Sequence, residues 1–148
     1  RAQATAALID GGPWTEDAAW AERDFGEWEG RRWDACWADV PAAALDSAEA
    51  YLGFDPPGAE RYDAVAVRVS GALDALAAGR HLIITHAGPI RAALSATCGW
   101  GPDQVFAATI GHGGVVVLNH GQDGWTARIG LPGTGDREEH PNPAKGPT

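Results

Sequence analysis

An α/β domain with a mostly parallel sheet is the fold class this sequence predicts, and three runs of residues predict it. Tyr62, Val65, Val69, Leu73 and Leu76 recur at helical spacing and make the clearest amphipathic helix in the chain. His81-Leu82-Ile83-Ile84-Thr85 is short, apolar and β-branched, the pattern of a buried strand. A second helix is expected from Pro89, since proline suits a first helical turn, to a stop near Gly99. Helix, strand and helix in that order point to a parallel α/β sheet.

The remaining elements follow along the chain. Arg1 to Ile9 is Ala-rich with no breaker before Gly11-Gly12-Pro13, and reads as the end of a helix. Residues 11 to 30 are loop-like, rich in Gly, Trp and acids. Helical patterns resume at Arg31–Ala38 and, after Pro41, at Ala42–Leu52, until Phe54-Asp55-Pro56-Pro57-Gly58 breaks the chain. Beyond the second helix, Pro102–Phe106 reads as a short helix. Val115–Leu118 and Trp125–Ile129, joined by a turn around Gly121–Gly124, read as a closing hairpin. One domain is expected over residues 1–132, with a flexible polar tail over 133–148.

With 148 residues, 45% of them hydrophobic, and a mean hydropathy of −0.22, the composition is that of a soluble globular chain. No apolar run approaches the roughly 20 residues of a membrane-spanning helix, and no apolar signal region follows Arg1-Ala2-Gln3. The net charge of −9 repels phosphate backbones, so nucleic acid is not an expected partner, and without a spanning run neither is a membrane. Ten of the eleven basic residues are Arg, so a bound anion must be held mainly by Arg, His and backbone N–H groups. Cys36 and Cys98 are too few for a disulfide framework and have no metal-binding spacing, which makes a reduced, cytoplasmic protein the expectation. The sequence contains no methionine, from which a segment ahead of Arg1 is expected.

Four short runs carry the candidate chemistry. Leu82 to Arg91 puts His86 at the end of the expected strand, Gly88 in a tight turn and Pro89 in a first helical turn. His86 would then lie where open α/β folds bind ligands, beside a helix N-terminus whose free N–H groups attract anions. The helix dipole alone contributes about 0.3–1 kcal/mol, so phosphate affinity needs arginines as well. A structural histidine at a strand end fits this segment equally well. Glu22-Arg23-Asp24-Phe25-Gly26-Glu27-Trp28-Glu29-Gly30 holds four acids in nine residues. Phe25 and Trp28 should pack inward and fix one carboxylate as a general acid, leaving the others in solvent, although a plain acidic loop is the simpler reading. Arg1-Ala2-Gln3-Ala4-Thr5-Ala6 by itself shows a helix with an Arg and a Thr. Pro57-Gly58-Ala59-Glu60-Arg61 leads into the helix bearing Arg68, where Glu60 favours a helix start and Arg68 is expected on a solvated face.

In this order and spacing the four runs resemble the histidine phosphatase family. There an Arg-Ala-x-x-Thr-Ala helix precedes Glu-x-x-Phe-Gly-x-Trp-Glu-Gly, then Gly-Gly-Glu-Ser before an Arg-bearing helix, then an apolar strand ending in His-Gly or His-Ala-Gly with Ile-Arg after it. The resemblance covers about residues 1 to 118 and is closest to the α-ribazole phosphatase and small phosphoglycerate-mutase-like branch. It implies a three-layer fold with a mostly parallel sheet flanked by helices, lacking its first strand here. That strand ends in Arg-His-Gly in the family and carries the nucleophilic histidine. The family's Gly-Gly-Glu-Ser stands here as Gly58-Ala59-Glu60-Arg61, and Ala87 follows His86.

The resemblance also implies roles. Glu22 is similar to the acid that protonates the leaving alkoxide, and His86 to the histidine that stabilises the transferring phosphoryl group. Arg1 resembles a phosphate-clamping arginine, with the Ala87 N–H as an added oxyanion contact. From their own positions, Trp28 and His112 are candidate substrate contacts: Trp14, Trp20, Trp28, Trp33 and Trp37 crowd the acidic loop, a core role fitting at least three of them better, and a plain loop role fits His112 better. No metal or cofactor is implied. The expected partner is a small phosphorylated metabolite, with α-ribazole 5′-phosphate the first guess and a homodimer left open. The expected activity is phosphomonoester hydrolysis through a phosphohistidine, the 148 residues alone being inactive. The rival readings are a phosphoglycerate mutase, for which the Gly30–Gly58 stretch is short, and a non-catalytic phosphate-binding domain.

Overall fold

The computed structural model describes residues 1–9, 12–130 and 138–140. Six α-helices are formed among these residues: α1 (Ala2–Ala6), α2 (Trp33–Trp37), α3 (Ala48–Leu52), α4 (Tyr62–Asp74), α5 (Ala87–Cys98) and α6 (Pro102–Ala107). Short 3-10 turns occupy Ala18–Trp20, Gly26–Trp28 and Ala42–Leu45, and three strands follow as β1 (Val116–Gly121), β2 (Gly124–Ile129) and β3 (Glu138–His140).

The expected central helices form, for the reasons the pattern gave. Val65, Val69 and Leu73 bury one stripe of α4 against Ala92 and Ala93 of α5, with Trp20 at the margin. Helix α5 begins two residues ahead of Pro89, because the extended backbone of His86 (φ −124°, ψ 170°) already caps it. Pro89 is then third in the helix, where its missing N–H removes no intrahelical bond. Gly99 closes α5 in the left-handed conformation, at φ 65°. The opposite face of α5 places Leu94 and Cys98 with Trp100, Val105, Ala108 and Ala127, which joins α6 and the sheet into one core. A third cluster gathers Trp28, Cys36, Val40 and Ala44, flanked by Phe25, Tyr51 and Phe54.

The helix expected over Ala42–Leu52 is divided. Ser47 has an extended backbone, and its hydroxyl accepts a 3.0 Å hydrogen bond from Ala50 N–H, so α3 starts anew behind the 3-10 turn.

The hairpin is present, with Val116 opposite Ile129 and Gly121 opposite Gly124 in an antiparallel register. Glu138–His140, within the stretch expected to be a polar tail, pairs antiparallel with Ala127–Ile129 along the free edge of β2. The remainder of that stretch lies outside the described residues. Among the described residues this antiparallel, three-stranded sheet is the sheet of the molecule, and the parallel sheet expected around His81–Thr85 does not form. That run connects α4 to α5 outside any ladder, and Leu82 is 73% exposed. Apolar, β-branched residues favour a strand, but the strand exists only when a neighbour accepts and donates its backbone hydrogen bonds. The described architecture is therefore mixed helix and antiparallel sheet, compatible with an α/β fold. None of its helices is long and apolar enough to cross a membrane.

Candidate active site

Two segments far apart in sequence meet beside the first turn of α5. The hydroxyl of Thr85 donates to the Trp20 carbonyl at 2.5 Å, which ties the residue before His86 to the turn that leads into Glu22. One helical turn of chain further on, the Glu22 carboxylate lies against Gly88: a Cβ placed on Gly88 would be 3.4 Å from Glu22 Cδ and closer still to Oε1. Glu22 thus reaches the end of α5 that His86 caps. The His86 side chain makes no capping bond, and the N–H groups of Ala87 and Gly88 have no hydrogen-bond acceptor among the described residues. Free N–H groups at the positive end of a 12-residue helix favour negative charge.

The loop that carries Glu22 is held from behind. Arg23 is 10% exposed, and its guanidinium donates to the carbonyl of Glu60 at 2.7 Å and to Asp55 Oδ1 at 2.5 Å. A longer bond reaches the Phe54 carbonyl, at 3.4 Å. The backbone N–H of Arg23 donates in turn to Glu22 Oε1 at 3.1 Å. Glu60 N–H donates to the Asp24 carbonyl and Glu27 N–H to the Pro57 carbonyl, so residues 22–28 run alongside 54–60. Gly26, at φ 57°, is required there, because any Cβ would collide with the backbone of Pro57 to Ala59. Phe25 and Trp28 point inward, whereas Asp24, Glu27 and Glu29 stay exposed, so of the four acids only Glu22 is partly buried.

Arg68 is not on a solvated face. Its guanidinium grips both oxygens of Glu60 at 2.8 and 3.0 Å and donates to the Ala19 carbonyl at 2.7 Å. A bidentate pair at roughly a quarter exposure anchors the approach to Glu22 onto α4. Hydrogen bonding from Arg68 holds the Glu60 carboxyl below its ordinary range, against the opposing effect of burial. Arg91 is likewise occupied, donating to the carbonyls of Val105 and Ala108 and so fastening α6 to α5. The Tyr62 hydroxyl is buried without a hydrogen-bond partner among the described residues. Burial raises its pKa, opposed by Arg91 and Arg23 and reinforced by the charge of Glu22, which places these groups around one region.

The other expected site residues have varied surroundings. Trp28 is 6% exposed and packs its ring edge-on to Trp33 and tilted on Phe54, which makes it a core residue that faces no open surface. Its hydrophobic area is worth more buried than turned toward a ligand. Trp37 stacks on Tyr51 and Trp20 packs on α4, while Trp14 is exposed. His112 is exposed on the Gly111–Gly114 turn. Arg1 is exposed at the start of α1; its carbonyl accepts from Thr5, and its side chain makes no ion pair among the described residues. Sequence reasoning missed Arg23 as a clamp and Gly88 as a close approach. The signal available for Arg23 was an arginine flanked by acids in a loop that also carries aromatic residues.

No curated protein and no solved structure matches this chain. The profile of the histidine phosphatase superfamily (branch 1) matches residues 1–129, which include both segments that meet at α5. Given that match over most of its length, the chain belongs to branch 1 of the histidine phosphatase superfamily, whose members are typically phosphatases or mutases.

Proposed function

We propose that the chain serves in hydrolysis of a small phosphomonoester through a phosphohistidine intermediate. Glu22 delivers a proton to the leaving alkoxide and later helps to activate water. His86 stabilises the transferring phosphoryl group, while the Ala87 N–H and Arg1 hold its oxygens. The observation that carries this reading is the Glu22 carboxylate lying against Gly88, on the helix end capped by His86. A proton donor beside free backbone N–H groups is the arrangement an oxyanion-forming reaction needs. Hydrolysis is favoured over mutase chemistry by the short Gly30–Gly58 stretch, whose small helices pack into the Trp28 cluster. In the same reading His81–Thr85 would pair in the parallel sheet of a three-layer fold once the family's Arg-His-Gly strand is supplied ahead of Arg1, and α-ribazole 5′-phosphate is the first substrate to try.

The Arg-His-Gly run that carries the family's nucleophile does not occur in the 148 residues. Loss of a covalent nucleophile costs on the order of 10⁶ in rate, so the chain alone should turn over an aryl phosphate very slowly. Fusing a family-like segment that ends in Arg-His-Gly ahead of Arg1 should raise that rate, in a manner dependent on His86. In the fusion, Glu22→Gln should lower turnover of an alkyl phosphate by about 10²–10⁴ and that of an aryl phosphate by much less. Equal loss on both substrates would remove Glu22 as the proton donor. Fast turnover by the 148 residues alone would overturn the nucleophile assignment.

A further inference from the structure

We infer that Gly88 is a positioning residue for Glu22: its missing side chain leaves the space that the carboxylate occupies over the first turn of α5. The functional consequence rests on the proton-donor reading of Glu22, but the geometry does not. A Cβ on Gly88 would overlap Glu22 Oε1 and lie 3.4 Å from Cδ and 3.9 Å from Oε2. Gly26 and Gly114 are also tight, but against backbone, as turns require.

Gly88 has no conformational need to be glycine. It is the second residue of a regular helix and is absent from the residues of positive φ. Helix propensity favours alanine at such a position, so glycine here works against its own helix. What it provides lies across the gap, at Glu22. The carboxylate has little freedom to adjust by moving its loop, because Arg23 is fastened to Phe54, Asp55 and Glu60. A methyl group at position 88 therefore turns the carboxylate away from the helix end and leaves the loop in place.

The test uses the full chain labelled with ¹⁵N and follows the backbone amides of Ala87 and Ile90 through a pH titration. Glu22 shares the surroundings of Tyr62 on α4 with Arg91 on α5 and Arg23 on its own loop, and His86 caps the helix end that Glu22 meets. A His86→Gln background removes the imidazole contribution. The carboxylate transition that remains at these amides is expected to vanish in Glu22→Gln. In Gly88→Ala its amplitude should fall to about half or less, since the field weakens as the charge moves off, while the thermal midpoint stays level or rises. An undiminished transition in Gly88→Ala overturns the inference, as does the lack of any Glu22 transition in the parent. Should Gly88→Ala fail to fold, the double variant Gly88→Ala/Glu22→Ala should fold normally; if it also fails, the overlap with Glu22 is not what Gly88 relieves. Where turnover is measured in the fusion, Gly88→Ala should lower the alkyl-to-aryl rate ratio. A ratio that does not change beside a diminished amide transition sinks the proton-donor reading and leaves the positioning by Gly88 standing.

Discussion

Arg68 shows how one side chain changes meaning with its neighbours. In isolation it is a helix arginine; in the fold its three bonds join Glu60 to the Ala19 carbonyl and fix the approach to Glu22. Because Arg68 holds the Glu60 carboxyl low, the folded chain binds that proton more weakly than the unfolded chain does. The contribution is therefore present above the unfolded carboxylate range and is lost as pH falls through the lower, folded value. Arg68→Met should cost about 1–2 kcal/mol at neutral pH, allowing for partial solvent screening. The gap between variant and parent should narrow as pH falls from about 7 toward about 3. Urea midpoints at several pH values measure it, and a gap of constant size would show that the pair does not couple to protonation.

At the scale of elements, glycine positions give predictions of opposite sign. Gly99 ends α5 at φ 65°, a conformation that costs an L-residue about 1 kcal/mol, so Gly99→Ala should destabilise the chain by that amount. Gly71 lies on the exposed side of α4 with nothing within 4 Å of an added Cβ. Gly71→Ala should stabilise by about 0.5–1 kcal/mol. Thermal melts of the two variants decide the matter: a rise for Gly99→Ala would contradict the left-handed stop, and a fall for Gly71→Ala the open helical position. The helices α4, α5 and α6 and the β1–β2 hairpin were legible because their patterns are local: an apolar stripe, a proline start, a glycine stop, a glycine-bounded turn. The Ala42–Leu52 run reads as one helix because a serine hydroxyl that recaps the backbone looks, in sequence, like any polar residue within a helix.

Across the whole molecule, two leucines show what packing decides. Leu94 is fully buried where α5 meets α6 and β2, and Leu94→Ala should cost about 2–5 kcal/mol through lost burial and the cavity left behind. Leu82 is 73% exposed, and Leu82→Ala should stay within about 0.5 kcal/mol. Denaturant midpoints test both, and a large cost at Leu82 would mean that its run is covered in solution. The apolar character of His81–Thr85 predicts a buried strand, but pairing is a property of two segments, and the run joins no ladder among the described residues.

The sequence by itself determined the apolar stripe of α4, the Gly99 stop of α5, the hairpin and the family, because each rests on residues a few positions apart or on motifs in fixed order. Tertiary structure alone decided that Glu22, of four neighbouring acids, meets the end of α5, that Arg23 and Arg68 are structural ties, and that Trp28 is core. Those outcomes depend on contacts between residues such as Thr85 and Trp20, separated by 65 positions. No local period encodes which distant groups will share a volume; close packing of the folded chain does.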